Sequence, residues 1–178
     1  MSGISLHAGV SRGAAGWLRS PAVDARDLAA AAAARGFGVQ RVLIDCRAGE
    51  FLAELRAAVS RMRRDDALLI TFSGHGREQS WCFFDRDLPL VDLCEVLASL
   101  PRRTHVCIVA DACHSEAWRE LDVELRAELT VIAPRDIHAR DGRGRNTRSP
   151  FTAALLRAML AAPPAAHASA GRAARRRR

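Results

Sequence analysis

The chain holds no lysine, so all 27 of its basic residues are arginines. Five of them, Arg172, Arg175, Arg176, Arg177 and Arg178, crowd into the last seven residues. Without those five the formal charge drops from +7 to +2, so the basicity belongs to a tail and not to a binding face. Such a run reads first as a solvated tail, and nucleic acid is not the expected partner. No apolar stretch is long enough to span a bilayer, so no membrane is expected. No charged segment leading into an apolar one opens the chain, so no secretory signal is expected. Paired cysteine spacing is missing too. Cys46, Cys82, Cys94, Cys107 and Cys113 are odd in number, which predicts free thiols in a reducing, cytoplasmic setting. There is no Cys-x-x-Cys pair, and Cys113 beside His114 is too close for a zinc pattern, so no structural metal is expected.

What is present is an alternation of apolar strands and amphipathic helices. At 178 residues the length predicts one domain with a sizeable core, here residues 1–162. Residues 163–178, rich in Pro, Ala and Arg, predict a disordered tail. Strands are expected over 3–9, 37–45, 66–73, 104–110 and 129–134. A helix is expected to begin at Asp24, which can cap it, and to end before Gly36. Others follow over 51–63 and 91–100, where the apolar residues recur at the helical period. Trp118, Leu121 and Leu125 predict a helical turn or two. Gly13 and Gly16 mark a loop, and the Arg-rich residues 135–149 predict a mobile one. Ser149-Pro150 then supplies a cap and a first-turn proline for a helix to about residue 161. The alternation predicts an α/β fold with a mainly parallel sheet. No internal repeat is visible.

Two strings carry the chemistry. Residues 68–76 read LLITFSGHG, and residues 106–115 read VCIVADACHS. Each is a near-continuous apolar run, as expected for a strand covered on both faces. Each ends in one reactive side chain, His75 in the first and Cys113 in the second. Chemistry in open parallel sheets collects just beyond the carboxyl ends of the strands. A thiolate is the nucleophile, and a neighbouring imidazole can take its proton and later return it to a leaving amine. Backbone N–H groups near Gly76 and Cys113 are candidates to hold the resulting oxyanion. Cys46 and Cys107, in or beside apolar runs, read as inert packing. His7, His105, His114, His138 and His167 lack a comparable context.

These strings resemble the caspase-like cysteine peptidases, and the metacaspase branch most closely. DACHS resembles the metacaspase form DSCHSG, and His75 precedes Cys113 by 38 positions. VDARDLAAAAAARGFG at 23–38 resembles the segment around the family's first helix, and SPFTAALLRAML at 149–160 its late helix. The resemblance spans about residues 3–161. It implies a caspase-like three-layer α/β/α fold, with Cys113 as nucleophile and His75 as general base and acid. It implies an acidic primary specificity pocket at Asp24, Ser73 and Asp111, hence cleavage after Arg or Lys in a protein or peptide substrate. Two carboxylates and a hydroxyl suit a guanidinium or ammonium group.

The chain also departs from the family. Glu116 stands where the family has glycine after the CHS string. The segment between His75 and the fourth strand is short. The family's sixth strand is expected to be missing, which leans towards a monomer. The sequence itself requires no cofactor. The resemblance allows Ca2+, with Asp85, Asp87, Asp92, Glu120 and Asp122 as candidate ligands lacking a convincing spacing. Arg135, Arg140, Arg143, Arg145 and Arg148 make the 135–148 stretch a candidate autocleavage site. Two alternatives stand beside the peptidase: a catalytically weak caspase-like interaction module, and nucleic-acid binding through the arginine tail.

Overall fold

Five segments dominated by Val, Ile, Leu and Ala build a single sheet. The computed structural model describes residues 2–13, 15–119, 126–134, 141 and 147–161, with Glu116 and Arg119 by backbone alone. Strands β1 (Gly3–Gly9), β2 (Phe37–Ile44), β3 (Ala67–Ser73), β4 (His105–Asp111) and β5 (Glu128–Ile132) lie in the order β5-β4-β3-β1-β2. Every pairing is parallel. Helices α1 (Pro21–Ala34), α2 (Ala48–Val59), α3 (Leu90–Leu97) and α4 (Pro150–Ala161) complete the fold.

Side chains alternate across a strand, and the two faces bury different partners. Leu68, Ile70 and Phe72 of β3 pack with α2 and α3 in the larger core. Leu69 of β3 and Val109 of β4 face the other way, against Leu28 and Ala32 of α1 and Phe151, Leu155 and Leu156 of α4. The layers are therefore α/β/α. Among the described residues the sheet has five strands and none follows α4. The tail expected to be disordered lies outside the described residues.

Five of the nine Phe and Trp side chains meet beneath one end of β3. Phe72 stacks on Trp81 at 4.4 Å between centroids, and Phe51, Phe83 and Trp118 close around the pair. Aromatic rings carry a large apolar burial in few rotatable bonds. They anchor a small antiparallel sheet, Gly76–Arg77, Ser80–Cys82 and Asp87–Pro89, that the sequence reading left unassigned. Asp85, from the same segment, accepts a hydrogen bond from the Ala48 N–H at 2.9 Å and so caps α2 from outside the helix.

Several expectations are corrected. α1 begins at Pro21 and not at Asp24, with Ser20 as its N-cap. Proline at the first helical position loses nothing, because that N–H has no partner inside the helix. Gly13 and Gly16 belong to a two-residue ladder, Arg12–Gly13 with Gly16–Trp17. The helical turn expected near Trp118 is a 3-10 helix, Ser115–Arg119, and Leu121 and Leu125 lie outside the described residues. The other strand and helix boundaries differ from expectation by a few residues at most.

His7 is fully buried on β1, hydrogen-bonded at 2.9 Å to Thr71 Oγ1, and its Nε2 has no partner. Burial lowers its pKa from 6.5 to about 4. Between those values the unfolded chain binds a proton that the folded one refuses. The stability contributed by the neutral ring is complete above pH 6.5 and falls away towards pH 4, by about 3 kcal/mol. In urea melts, His7→Leu should flatten that acid limb. It should cost about 1–2 kcal/mol at pH 7, because Thr71 loses its partner. An unchanged acid limb refutes the assignment.

Candidate active site

β3 and β4 pair in register with Ser73 opposite Asp111. His75 and Cys113 each follow two residues later, so adjoining strands release them at the same rim. The Gly74 N–H donates to the Asp111 carbonyl at 3.2 Å, and the Cys82 N–H donates to the His75 carbonyl at 2.9 Å. These bonds hold the two strand ends and the small sheet together around the histidine. After Cys113 the chain turns sharply. His114 has φ of 57°, its carbonyl accepts from the Ala117 N–H, and the Ser115 hydroxyl donates to the Ala112 carbonyl at 2.7 Å.

A cavity of about 100 Å³ opens at this rim. His75, Cys113, Ser73 and Asp111 line it, joined by Leu18, Ser20, Gly74, Asp141 and Ser149. A larger groove of about 660 Å³ runs between the ends of α2 and α3, lined by residues such as Arg56, Met62 and Val96. It carries no cysteine or histidine and lies off the strand ends, so the smaller cavity is the chemical one.

Both reactive side chains are partly buried. Burial lowers the His75 pKa, the nearby Asp141 charge opposes that, and Arg77 adds to it. The His75 Nε2 has no hydrogen-bond partner. An arm over residues 10–13 and 15–18 lies beside it. A Cβ on Gly16, whose φ is +116°, would sit 3.8 Å from that nitrogen. Asp45 pins the arm by accepting from the Ser11 and Arg12 N–H groups at 2.6 and 3.0 Å.

Gly76 packs directly on the cysteine turn. A Cβ there would stand 2.0 Å from the Cys113 carbonyl oxygen, which backbone cannot accommodate without moving. Gly76→Ala should therefore displace Cys113 and cost about 1–3 kcal/mol. A thermal melt and the rate of Cys113 alkylation check it, and two unchanged readouts count against the close contact.

The carboxylates expected in the pocket form a buried network. Asp24 is fully buried and does not line the cavity. Its Oδ2 accepts from the Ser73 hydroxyl at 2.9 Å and its Oδ1 from the Ser149 N–H at 3.0 Å. The expectation that one oxygen caps α1 fails, because both are engaged with other elements. Asp111 Oδ2 accepts from the Ser149 hydroxyl and, at 2.7 Å, from the Thr152 hydroxyl. Ser149 Oγ in turn accepts from the Thr152 N–H at 2.9 Å, the cap expected for α4. Burial pushes Asp24 up to about 7, with the Asp111 charge adding to the rise, and burial pushes Asp111 up as well. Two acids share a site poor in water, each resisting ionisation.

The sequence reading missed Asp141, the arm residue Leu18, and Ser20 at the N-cap of α1. Ser149 was singled out only as a helix cap. Asp141 shares its stretch with Asp136, and nothing in the sequence ranks one above the other. Of the candidate autocleavage arginines, Arg148 pairs with Asp27, and Arg135, Arg140, Arg143 and Arg145 lie outside the described residues. Of the calcium candidates, Asp85, Asp87 and Asp92 fall among the described residues. No cluster of three or more His, Cys, Asp or Glu suited to a metal occurs among the described residues. Asp85 caps α2 and Asp87 pairs with Arg77 at 3.4 Å, while Glu120, Asp122 and the Glu116 side chain lie outside them. No helix among the described residues is long and apolar enough to cross a membrane.

A three-layer fold with a parallel sheet that releases a histidine and a cysteine from two adjacent inner strands has the architecture of the caspases. Residues 9–170 match the caspase domain of the peptidase C14 family, and the chain belongs to that family. Solved structures share the fold, two of them as follows. A crystal structure of a Geobacter sulfurreducens protein superposes with a TM-score of 0.74 at 21% identity, covering 90% of this chain and 82% of that one. Caspase-1 from Spodoptera frugiperda gives a TM-score of 0.65 at 16% identity, covering 89% of this chain and 68% of that one. No curated protein matches the sequence.

Proposed function

We propose that the protein is a cysteine endopeptidase of the metacaspase-like branch, cleaving after a basic residue. The observation that carries the proposal is one cavity at the ends of β3 and β4 lined together by His75, Cys113, Ser73 and Asp111. His75 takes the Cys113 thiol proton, and Sγ attacks the carbonyl carbon of the scissile bond. The backbone N–H groups of Gly76 and Cys113 hold the oxyanion. As the C–N bond breaks, His75 returns the proton to the leaving amine. Water, deprotonated by His75, then attacks the thioester, releasing the acid and restoring the thiol.

The basic preference rests on Asp111 and Ser73 in the cavity wall, with Asp24 behind them. Burial disfavours the charged form of both Asp24 and Asp111, and a cation entering the cavity would compensate that charge. The test compares fluorogenic peptides ending in Arg, Lys and Asp. Hydrolysis confined to the Arg and Lys peptides is the expected result. Hydrolysis of the Asp peptide alone overturns the specificity, and no hydrolysis of any peptide counts against the peptidase.

A further inference from the structure

We propose that two hydroxyls at the start of α4, those of Ser149 and Thr152, place the first negative charge of the pocket on Asp111, which lines the cavity, and not on Asp24 behind it. The inference rests on the peptidase reading and adds two positioning residues to it. Both side chains are buried, and both hydroxyls donate to one oxygen, Asp111 Oδ2, that of Thr152 at 2.7 Å. The Thr152 N–H donates to Ser149 Oγ at 2.9 Å. The two acids meet at Ser149, whose N–H donates to Asp24 Oδ1 at 3.0 Å while its hydroxyl serves Asp111.

A donor aimed at a carboxylate favours its charged form. With the two hydroxyls in place, Asp111 holds two donors on one oxygen and stands at the cavity wall, whereas Asp24 is fully buried away from it. Burial raises both acids, and the Asp111 charge adds to the rise of Asp24. Without the hydroxyls, Asp111 would keep the nearby Thr152 N–H, but Asp24 would still hold the Ser73 hydroxyl and the Ser149 N–H. The first charge would then pass to Asp24, out of reach of a guest cation. The other titratable groups at this wall are Asp141, His75 and Cys113. The Asp141 charge opposes ionisation of Asp111, and Arg148, next to Ser149, pairs with Asp27.

The test is an NMR titration of the full chain carrying 13C-labelled aspartate, with Asp24→Asn and Asp111→Asn assigning the two carboxyl signals. Asp111 should ionise first and Asp24 second. Thr152→Val keeps the side-chain shape and the N–H to Ser149 Oγ while removing one donor. It should raise the Asp111 midpoint by about one pH unit. Ser149→Gly removes the other hydroxyl, keeps the N–H to Asp24 and leaves a residue that caps helices well. It should raise the midpoint on the same scale, about one pH unit. Asp24 ionising first in the unaltered chain overturns the inference, as does an Asp111 midpoint that neither variant moves. Should both variants fail to fold, the order of ionisation in the unaltered chain decides.

Hydrolysis of an Arg-terminated peptide gives a second readout. Thr152→Val should raise KM about fivefold near the measured Asp111 midpoint and hardly at all about two pH units above it, with the loss on KM and not on kcat. A KM deficit equal at every pH marks a general defect of α4 and overturns the inference. The expected order and shifts in a chain that hydrolyses no peptide uphold the charge placement and remove the peptidase reading.

Discussion

Cys113→Ala should lower kcat/KM for an Arg-terminated peptide by about 10³-fold or more, with the melting midpoint nearly unchanged. The side chain leaves β4 at the rim and faces the cavity, so its removal opens no void in the sheet core. Its chemistry, by contrast, has no substitute. The other four thiols are pushed up by burial, Cys46 to about 12 and Cys82 to about 11, and sit where no substrate reaches. Alkylation of the native protein by iodoacetamide should accordingly label Cys113 first, as peptide mass mapping reads directly. His75→Gln should lower kcat/KM on a similar scale, since the imidazole must both take and return the proton. The two losses should not add, because the pair acts as one unit. A Cys113→Ala protein that hydrolyses the peptide at the unmodified rate removes the nucleophile from the mechanism.

Much of the frame was legible in the sequence because buried parallel strands announce themselves as apolar runs. LLITF and VCIVA needed no partner to be recognised, and their shared ending placed His75 and Cys113 at one rim. What stayed hidden was set by contacts between distant segments. Asp24 reads locally as a helix cap. It is drawn inside instead by Ser73, 49 residues away, and by Ser149, 125 residues away. Asp141 is tied to residues more than a hundred positions upstream, and no local pattern foretells that. The small sheet after His75 was missed because its strands are two or three residues long and owe their order to the aromatic block beneath them. Short strands carry almost no periodicity, so tertiary packing alone reveals them.

That hidden network yields the second large effect. Asp24→Asn should make the protein more stable at pH 8 while weakening its hold on arginine. Burial raises the Asp24 pKa from 3.8 to about 7. Between those values the folded chain binds a proton that the unfolded chain has released. The group's contribution is greatest below pH 3.8, falls as pH rises towards 7, and is lost above it. The full span is about 4 kcal/mol as an upper bound. Asparagine fits the same bonds, its oxygen accepting from the Ser149 N–H and its amide donating to the Ser73 hydroxyl, without the burial cost of a charge. In urea melts the Asn variant should gain about 2 kcal/mol or more at pH 8 and almost nothing at pH 4. The same substitution removes half of the Asp24–Asp111 charge that a guanidinium would relieve. KM for an Arg peptide should therefore rise about tenfold or more; the parent enzyme's KM is expected to tighten as pH climbs through 7, and the variant's should do so less. A stabilising substitution that weakens substrate binding marks a strained functional site, whereas a purely structural aspartate would lose stability and leave the Arg preference intact. Equal pH slopes in the two proteins would place the Asp24 proton outside the recognition of substrate.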